Sequence, residues 1–348
     1  MTSVLSKEPA RIQLRTNKQV LIVRVLLVLM ILSILTASAI GSFNLSLITL
    51  LLGQGSSLQI TVMTEIRLPR ILLSAVVGAS LGVSGAALQG LFRNPLADPG
   101  LIGVSAGAAL GAAIMIVITP AAIFDSSIQP ILLPIAGIIG AASVTLLLFT
   151  LTRGFAQRGI TYMLLVGIAI NAIVGVAIGI LTYISSDAEL RTLTFWTMGS
   201  FGGIGWSLLI PTVIGIIWAT SYLLPSSTNL DLVQLGEIEA YRLGVDVRKL
   251  KFRVIIATAT LVGCSVALSG MIGFVGLVVP HLARLIGGVN HVYLLPASAT
   301  LGAVLMVTAD LLARTMIQPA ELPIGLITSA IGSPFFLWLI FRMKTNGY

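Results

Sequence analysis

Few residues in this chain have the type and spacing for covalent chemistry. Its single thiol, Cys264, lies inside an apolar run, so there is neither a disulfide framework nor a thiol metal site. His281 follows Pro280 in a segment rich in glycine and proline and invites a haem-ligand reading. The only other histidine, His291, reads as part of a loop, which leaves an axial ligand without a natural second donor. No G-x-x-x-x-G-K-[ST] occurs, so the chain does not itself cradle nucleotide phosphates, and no H-E-x-x-H zinc helix occurs. Carboxylates are nearly missing from the apolar runs, which argues against a proton-coupled carrier built on an Asp/Glu relay.

The residues that do carry a pattern are basic. Arg67-Leu68-Pro69-Arg70 places two cations close together beside an apolar run. Such a pair anchors a helix at the membrane boundary by snorkelling, or it receives an acidic partner. Asp310 and Arg314 stand four apart, the spacing of a local helical ion pair, and Arg314 can also face a partner. A second constellation lies at Pro225–Arg253, the longest polar interruption of the chain. Asn229 or Asp231 can cap a short helix carrying Leu230, Leu232, Val233 and Leu235, broken by Gly236. Glu237–Leu243 can form a second short helix ended by Gly244, and Asp246 can cap the apolar helix that follows. Two short amphipathic helices between membrane spans read either as a solvated connection or as a surface for another protein to grip.

The elements that must position these groups are membrane spans. Of 348 residues, 57% are hydrophobic and only 9% charged, against roughly 25% charged in a soluble domain. Apolar runs near ~20 residues span a bilayer. They occur at Val20–Ile40, Ile71–Leu91, Leu101–Thr119, Ile131–Leu151, Tyr162–Tyr183, Trp206–Leu224, Val254–Ser269, Val292–Ala313 and Pro323–Phe341. A shorter, Pro-broken piece at Val275–Ile286 makes a tenth, giving an all-α polytopic fold. Residues 1–19 read as a basic cytoplasmic tail, and 20–345 as one transmembrane domain with 225–253 as its cytoplasmic loop. The first run is too long for a signal-peptide core and has no small-residue cleavage site after it.

With ten crossings both termini share one side, together with Arg93, Arg153, Arg158, the Arg242–Arg253 cluster and Arg284. The other side keeps only Arg67, Arg70, Arg191 and Arg314, so the bias places both termini in the cytoplasm. The net charge of +8 therefore reflects topology and calls for no nucleic-acid partner. Ser42–Glu65 reads as a mixed external segment, Asp187, Glu189 and Arg191 as an external charged patch, and Thr192–Phe201 as a short interfacial helix. Asp98 before Pro99 is a helix start, and Asn171 reads as either an interhelical hydrogen bond or a pore residue.

Small residues line the second and third runs, as helices packed in lipid require. A repeat joins the second run to the seventh. Gly78-Ala-Ser80-Leu-Gly-Val-Ser84-Gly85 matches Gly263-Cys-Ser265-Val-Ala-Leu-Ser269-Gly270, and Pro95 and Pro280 follow at equal distance. Five crossings apart, the copies run in opposite directions, the inverted-repeat pattern of transporters.

The run from Arg67 to Ala112, RLPRILLSAVVGASLGVSGAALQGLFRNPLADPGLIGVSAGAALGA, is similar to membrane subunits of bacterial ABC importers for iron chelates and cobalamin. So are FWTMGSFGG (195–203), LGEIEAYRLGV (235–245), SGMIGFVGLVVPHLARL (269–285) and PAELPIGLITSAIGSPFFLWLI (319–340). The chain thus resembles the FecCD, or type II importer, permeases from about residue 20 to its C-terminus.

This resemblance implies a BtuC-like fold in the bacterial inner membrane, two permease copies around a central pathway, two ATP-binding subunits and a periplasmic binding protein. The chain itself would be non-hydrolytic and hold no cofactor, with ATP and Mg on the partners and lipid around it. Arg67, Arg70 and Arg314 match arginines that receive the binding protein. Leu235, Glu237, Ala240, Tyr241 and Gly244 match the coupling helices that seat on the ATPase. Gly159, Ile160 and Thr161 match a gate segment less polar here than is usual in the family, with Asn171 beyond it. FRNPLADPGLIGVSAGAALGA together with PAELPIG looks most like the haem-importing branch, while cobalamin and ferric-siderophore permeases share the framework. An ion-coupled carrier and an intramembrane enzyme are the rival classes, and co-purification with an ATPase separates them.

Overall fold

The computed structural model describes the backbone of residues 8–41, 53–119, 129–152 and 159–345, and their side chains apart from 8–16, 129–130, 159–161, 340 and 342–345. In order the helices are α1 (Glu8–Ala39), α2 (Ser57–Phe92), α3 (Val104–Ile118), α4 (Gln129–Thr152), α5 (Gly159–Ile184), α6 (Asp187–Met198) and α7 (Trp206–Leu223). Then come α8 (Ser227–Val233), α9 (Glu237–Arg242), α10 (Val247–Ser269), α11 (Val275–Gly287), α12 (His291–Thr315) and α13 (Ile324–Thr345). Seven of these are long and apolar enough to cross a membrane. The shorter apolar helices Val104–Ile118, Val275–Gly287 and Ile324–Leu339 bring the described set to ten. The chain is an all-α polytopic membrane protein.

Helix α2 begins earlier than apolarity alone indicates. Ser56 and Gln59 form a reciprocal capping box, Gln59 N to Ser56 Oγ at 3.3 Å and Ser56 N to Gln59 Oε1 at 3.0 Å. The helix therefore starts at Ser57, within the stretch expected to be a mixed external segment, and passes through a π-turn at Val62–Arg67. Phe92 is its last residue, and Arg93 stops it in the left-handed conformation at φ 50°. A second capping box, Ser186 with Glu189, starts α6 at Asp187. The expected interfacial helix thus begins five residues before Thr192, and Asp187 and Glu189 form its first turn rather than a separate patch.

Backbone proximity organises the centre. Gly78 of α2 and Gly302 of α12 face each other so closely that a Cβ on either would overlap the other's carbonyl oxygen. Without a hydrophobic drive between helices in lipid, such small-residue contacts are what packing relies on. The two copies of the sequence repeat also meet. Ser80 Oγ of α2 donates to the Leu261 carbonyl of α10 at 2.8 Å, and Ser265, its counterpart in the second copy, donates to the same oxygen at 2.7 Å. After each copy comes an irregular segment and then a short helix that follows a left-handed residue. Gly103 (φ 82°) precedes α3 and Phe274 (φ 67°) precedes α11. Short or interrupted helices at corresponding places in two halves mark the transport region of inverted-repeat carriers.

Asp98 caps the 3₁₀ turn Pro99–Ile102 through Gly100 N at 2.7 Å. Asn171 of α5 donates to the Gly100 carbonyl at 3.0 Å, so it ties α5 to this turn, the interhelical bond that was one of its two readings. Large apolar side chains of α1, α5 and α7 stay exposed, among them Leu21, Val28, Ile173, Val176 and Ile214, as a bilayer or a neighbouring subunit permits.

Gly302→Val should lower the thermal midpoint of the detergent-purified chain, with a cost of about 1–3 kcal/mol or more for overpacking. Gly175→Ala, where an added methyl meets nothing within 4 Å, should not lower it and, alanine being the better helix former, should raise it slightly, as fluorescence-monitored melting can check.

Candidate functional site

At one end of the bundle the three predicted docking arginines come together, but not as exposed cations. Arg67 and Arg314 are 5% and 7% exposed. Arg67 Nη1 donates to the Ser38 carbonyl at 2.9 Å, and Arg314 Nη2 donates to the Ala37 carbonyl. Both guanidinium groups thereby close the C-terminus of α1, whose last carbonyls have no partner within the helix and carry partial negative charge. Arg67 and Arg314 are thus buried and turned toward the α1 terminus, where the expectation from sequence was of cations facing an acidic partner.

Arg70 sits between two carboxylates. Its Nε and Nη2 reach Asp310 Oδ1 at 3.0 and 2.8 Å, and its Nη1 reaches Glu321 at 2.8–2.9 Å. Asp310 is 2% exposed and Glu321 48% exposed, so Arg70 spans the distance from the interior to the rim. Arg314 Nε lies 3.7 Å from Asp310 Oδ2, the local pair that the four-residue spacing predicts. Three arginines, two acids and a helix terminus thus form one network linking α1, α2, α12 and the start of α13.

The opposite end carries the polar interruption. Gly236 (φ 118°) breaks the chain between α8 and α9, and Gly244 (φ 89°) follows α9, as glycine allows at little cost. Asp246 caps α10 through Lys249 N at 3.0 Å, a hydrogen bond that holds the Asp246 carboxyl below the usual carboxylate range. Neither Asn229 nor Asp231 caps α8; the residue before it is Ser226, whose side chain makes no capping bond. Asp231 instead accepts from His291, which is the first residue of α12 and not part of a loop.

Leu235, Ile238, Tyr241 and Leu243 are 64, 70, 74 and 57% exposed, an apolar surface outside the spans. Of the predicted coupling residues, Leu235 and Tyr241 belong to this surface. Ala240 is fully buried and seats α9, and Glu237 is held by Lys251 at 2.7 Å. Ile238 and Leu243 were missed, although Ile238 stands three residues from both Leu235 and Tyr241, the spacing of one helical face.

Gly159, Ile160 and Thr161 open α5, and their side chains lie outside the described residues. Arg153 and Arg158 also lie outside them. His281 packs edge-on against Phe335 with ring centroids 5.9 Å apart. Among the described residues no group of three or more His, Cys, Asp or Glu is placed to hold a metal ion.

Comparison with known proteins matches both the bundle and its two ends. A model of the FecCD transport family matches residues 25–342. The hemin transport system permease protein HmuU of Yersinia pestis is 46% identical over 324 residues, 92% of this chain and 95% of that protein. The vitamin B12 import system permease protein BtuC of Vibrio vulnificus is 42% identical over 287 residues, 82% of this chain and 85% of that protein. A solved metal-chelate type ABC transporter in an inward-facing conformation superposes with a TM-score of 0.82 at 35% identity, covering 92% of this chain and 99% of its own.

Removing one member of the buried pair should cost about 3–5 kcal/mol, since the other charge is stranded. Asp310→Ala is therefore expected to melt well below the parent in detergent. Arg70→Met combined with Asp310→Leu should recover part of that loss.

Proposed function

Because the chain belongs to the FecCD transport family and is an ABC importer permease, we propose that its cargo is haem, carried from the periplasm to the cytoplasm of a bacterial cell. The observation that carries the choice is the 46% identity to a hemin permease across 95% of that protein's length. Cobalamin is the second reading, favoured by 42% identity to a vitamin B12 permease over a shorter span. A ferric siderophore, the third chelate class the motifs allow, ranks behind both.

In this reading two copies of the chain enclose the pathway, lipid surrounds them, and energy comes from two ATP-binding subunits that hold ATP and Mg. The permease binds no cofactor and hydrolyses nothing. Both termini and the α8–α9 loop face the cytoplasm. The exposed surface of Leu235, Ile238, Tyr241 and Leu243 receives the ATPase, because apolar side chains outside the bilayer gain most from being covered by protein. The binding protein docks on the end that carries Arg67, Arg70 and Arg314. There Glu321 forms the accessible rim with Arg70 directly behind it, while Arg67 and Arg314 shape that end from within by fixing the end of α1. The gate at Gly159, Ile160 and Thr161 lies at the foot of α5 on the ATPase side, with Asn171 further along the same helix.

Proteoliposomes holding the chain, its ATPase and its binding protein should accumulate haem with ATP and not without it. Preference for cobalamin or a ferric chelate would displace the haem assignment, and uptake by the chain alone would remove the importer reading. Ile238→Asp should weaken co-purification of the ATPase subunit by roughly tenfold or more, as expected for a central apolar contact worth ~1.4 kcal/mol or more.

A further inference from the structure

Between the two functional ends runs one continuous pair of helices. Helix α12 has 25 residues, about 37 Å at 1.5 Å per residue. Near its C-terminus Asp310 binds Arg70 of α2, and Arg314 holds the end of α1. Along its middle, Gly302 and Ser298 back onto Gly78 and Gly82 of α2 with no room for a methyl group at either α2 glycine. At its N-terminus His291 is 3% exposed, and its ring fills the place that a side chain on Gly90 of α2 would take. The two helices are clamped from end to end, so they shift as a unit or not at all.

The neighbouring helix α8 and the residue that ends it are hydrogen-bonded to both members of this unit. Asp231 Oδ1 lies 2.6 Å from His291 Nδ1 and 3.0 Å from the His291 backbone nitrogen. A carboxylate only accepts, so both His291 nitrogens donate, and the negative charge sits at the positive end of the α12 dipole. Three residues on, Gln234 Nε2 donates to the Gly90 carbonyl of α2 at 2.6 Å. One turn of α8 therefore holds both members of the clamped pair, immediately beside the exposed Leu235–Leu243 surface.

We propose that Asp231 and His291 are positioning residues for transport: their hydrogen bonds are the joint through which movement of the α8–α9 element reaches the α2–α12 unit and, along it, the arginine network at the far end. The inference rests on the importer reading. A joint of this kind is needed because the two ends share no residues, and coupling between distant surfaces requires an element whose arrangement both can bias. Charge-assisted bonds suit the task, being stronger and more directional than the apolar contacts around them.

The test uses the complete transporter in proteoliposomes, with ATP hydrolysis and cargo uptake measured on the same preparation. Asp231→Ala is expected to keep ATPase association and hydrolysis while cargo moved per ATP falls about tenfold or more. His291→Ala should match it, and the double variant should be no worse than either single one. His291→Asn, whose side-chain amide can donate from the Nδ1 position, should restore most of the yield per ATP. Wild-type yield in Asp231→Ala overturns the joint. So does a loss of uptake that only follows lost ATPase association, or an Asn variant as poor as the Ala variant. A parent assembly that hydrolyses ATP but accumulates none of haem, cobalamin or ferric chelates overturns the importer reading, and the joint with it.

Discussion

The approach of α2 to α12 at Gly78 and Gly302 is the constraint on which the rest of the molecule depends. Within a bilayer apolar side chains gain little by leaving lipid for protein, so contact between backbones has to supply the cohesion. Bringing two backbones that close is possible only where neither residue has a side chain. Once it is met, Arg70 falls opposite Asp310 at one end of the pair and Gly90 falls against His291 at the other. The two functional surfaces are therefore built on one stiff support. The inverted repeat adds a second support, with Ser80 and Ser265 sharing the Leu261 carbonyl.

Charges in the spans follow the same economy. Basic side chains near helix ends usually extend toward water. Arg67 and Arg314 do the opposite because unpaired carbonyls at the end of α1 lie within reach, and a guanidinium has enough donors to satisfy several oxygens. Asp310, almost wholly enclosed, is tolerable because Arg70 meets it with two donors. The π-turn at Val62–Arg67 ends on Arg67 of this cluster, and such turns are frequent at functional sites.

Much of this was legible in the sequence and some of it could not be. All ten apolar helices follow from run length and hydropathy, including the short, Pro-containing α11. The glycine breaks at Gly236 and Gly244 and the Asp246 cap follow from local chemistry. Arg67, Arg70 and the 225–253 stretch stood out by charge and polarity, and the resemblance added the roles expected of them. What their side chains do was not legible, because it depends on distant residues: Arg70 and Asp310 are 240 positions apart, and Asp231 and His291 are 60 apart. Local rules also misdirected. Asp231 looked like a helix cap because capping depends on short range, yet its carboxylate reaches another helix. Ala240 shares a motif with exposed neighbours, but side-chain direction on a six-residue helix turns it inward. The early starts of α2 and α6 were written in Ser56–Gln59 and Ser186–Glu189, signals that an apolarity scan passes over.

The arginine network also sets an order of events during synthesis. The carbonyls of Ala37 and Ser38 leave the ribosome before Arg67, so that cation finds its acceptors already waiting. Arg70 is less fortunate, since Asp310 and Glu321 both follow it by some 240–251 residues. A nascent chain that stops short of α12 therefore lacks both carboxylates that meet Arg70 in the finished protein.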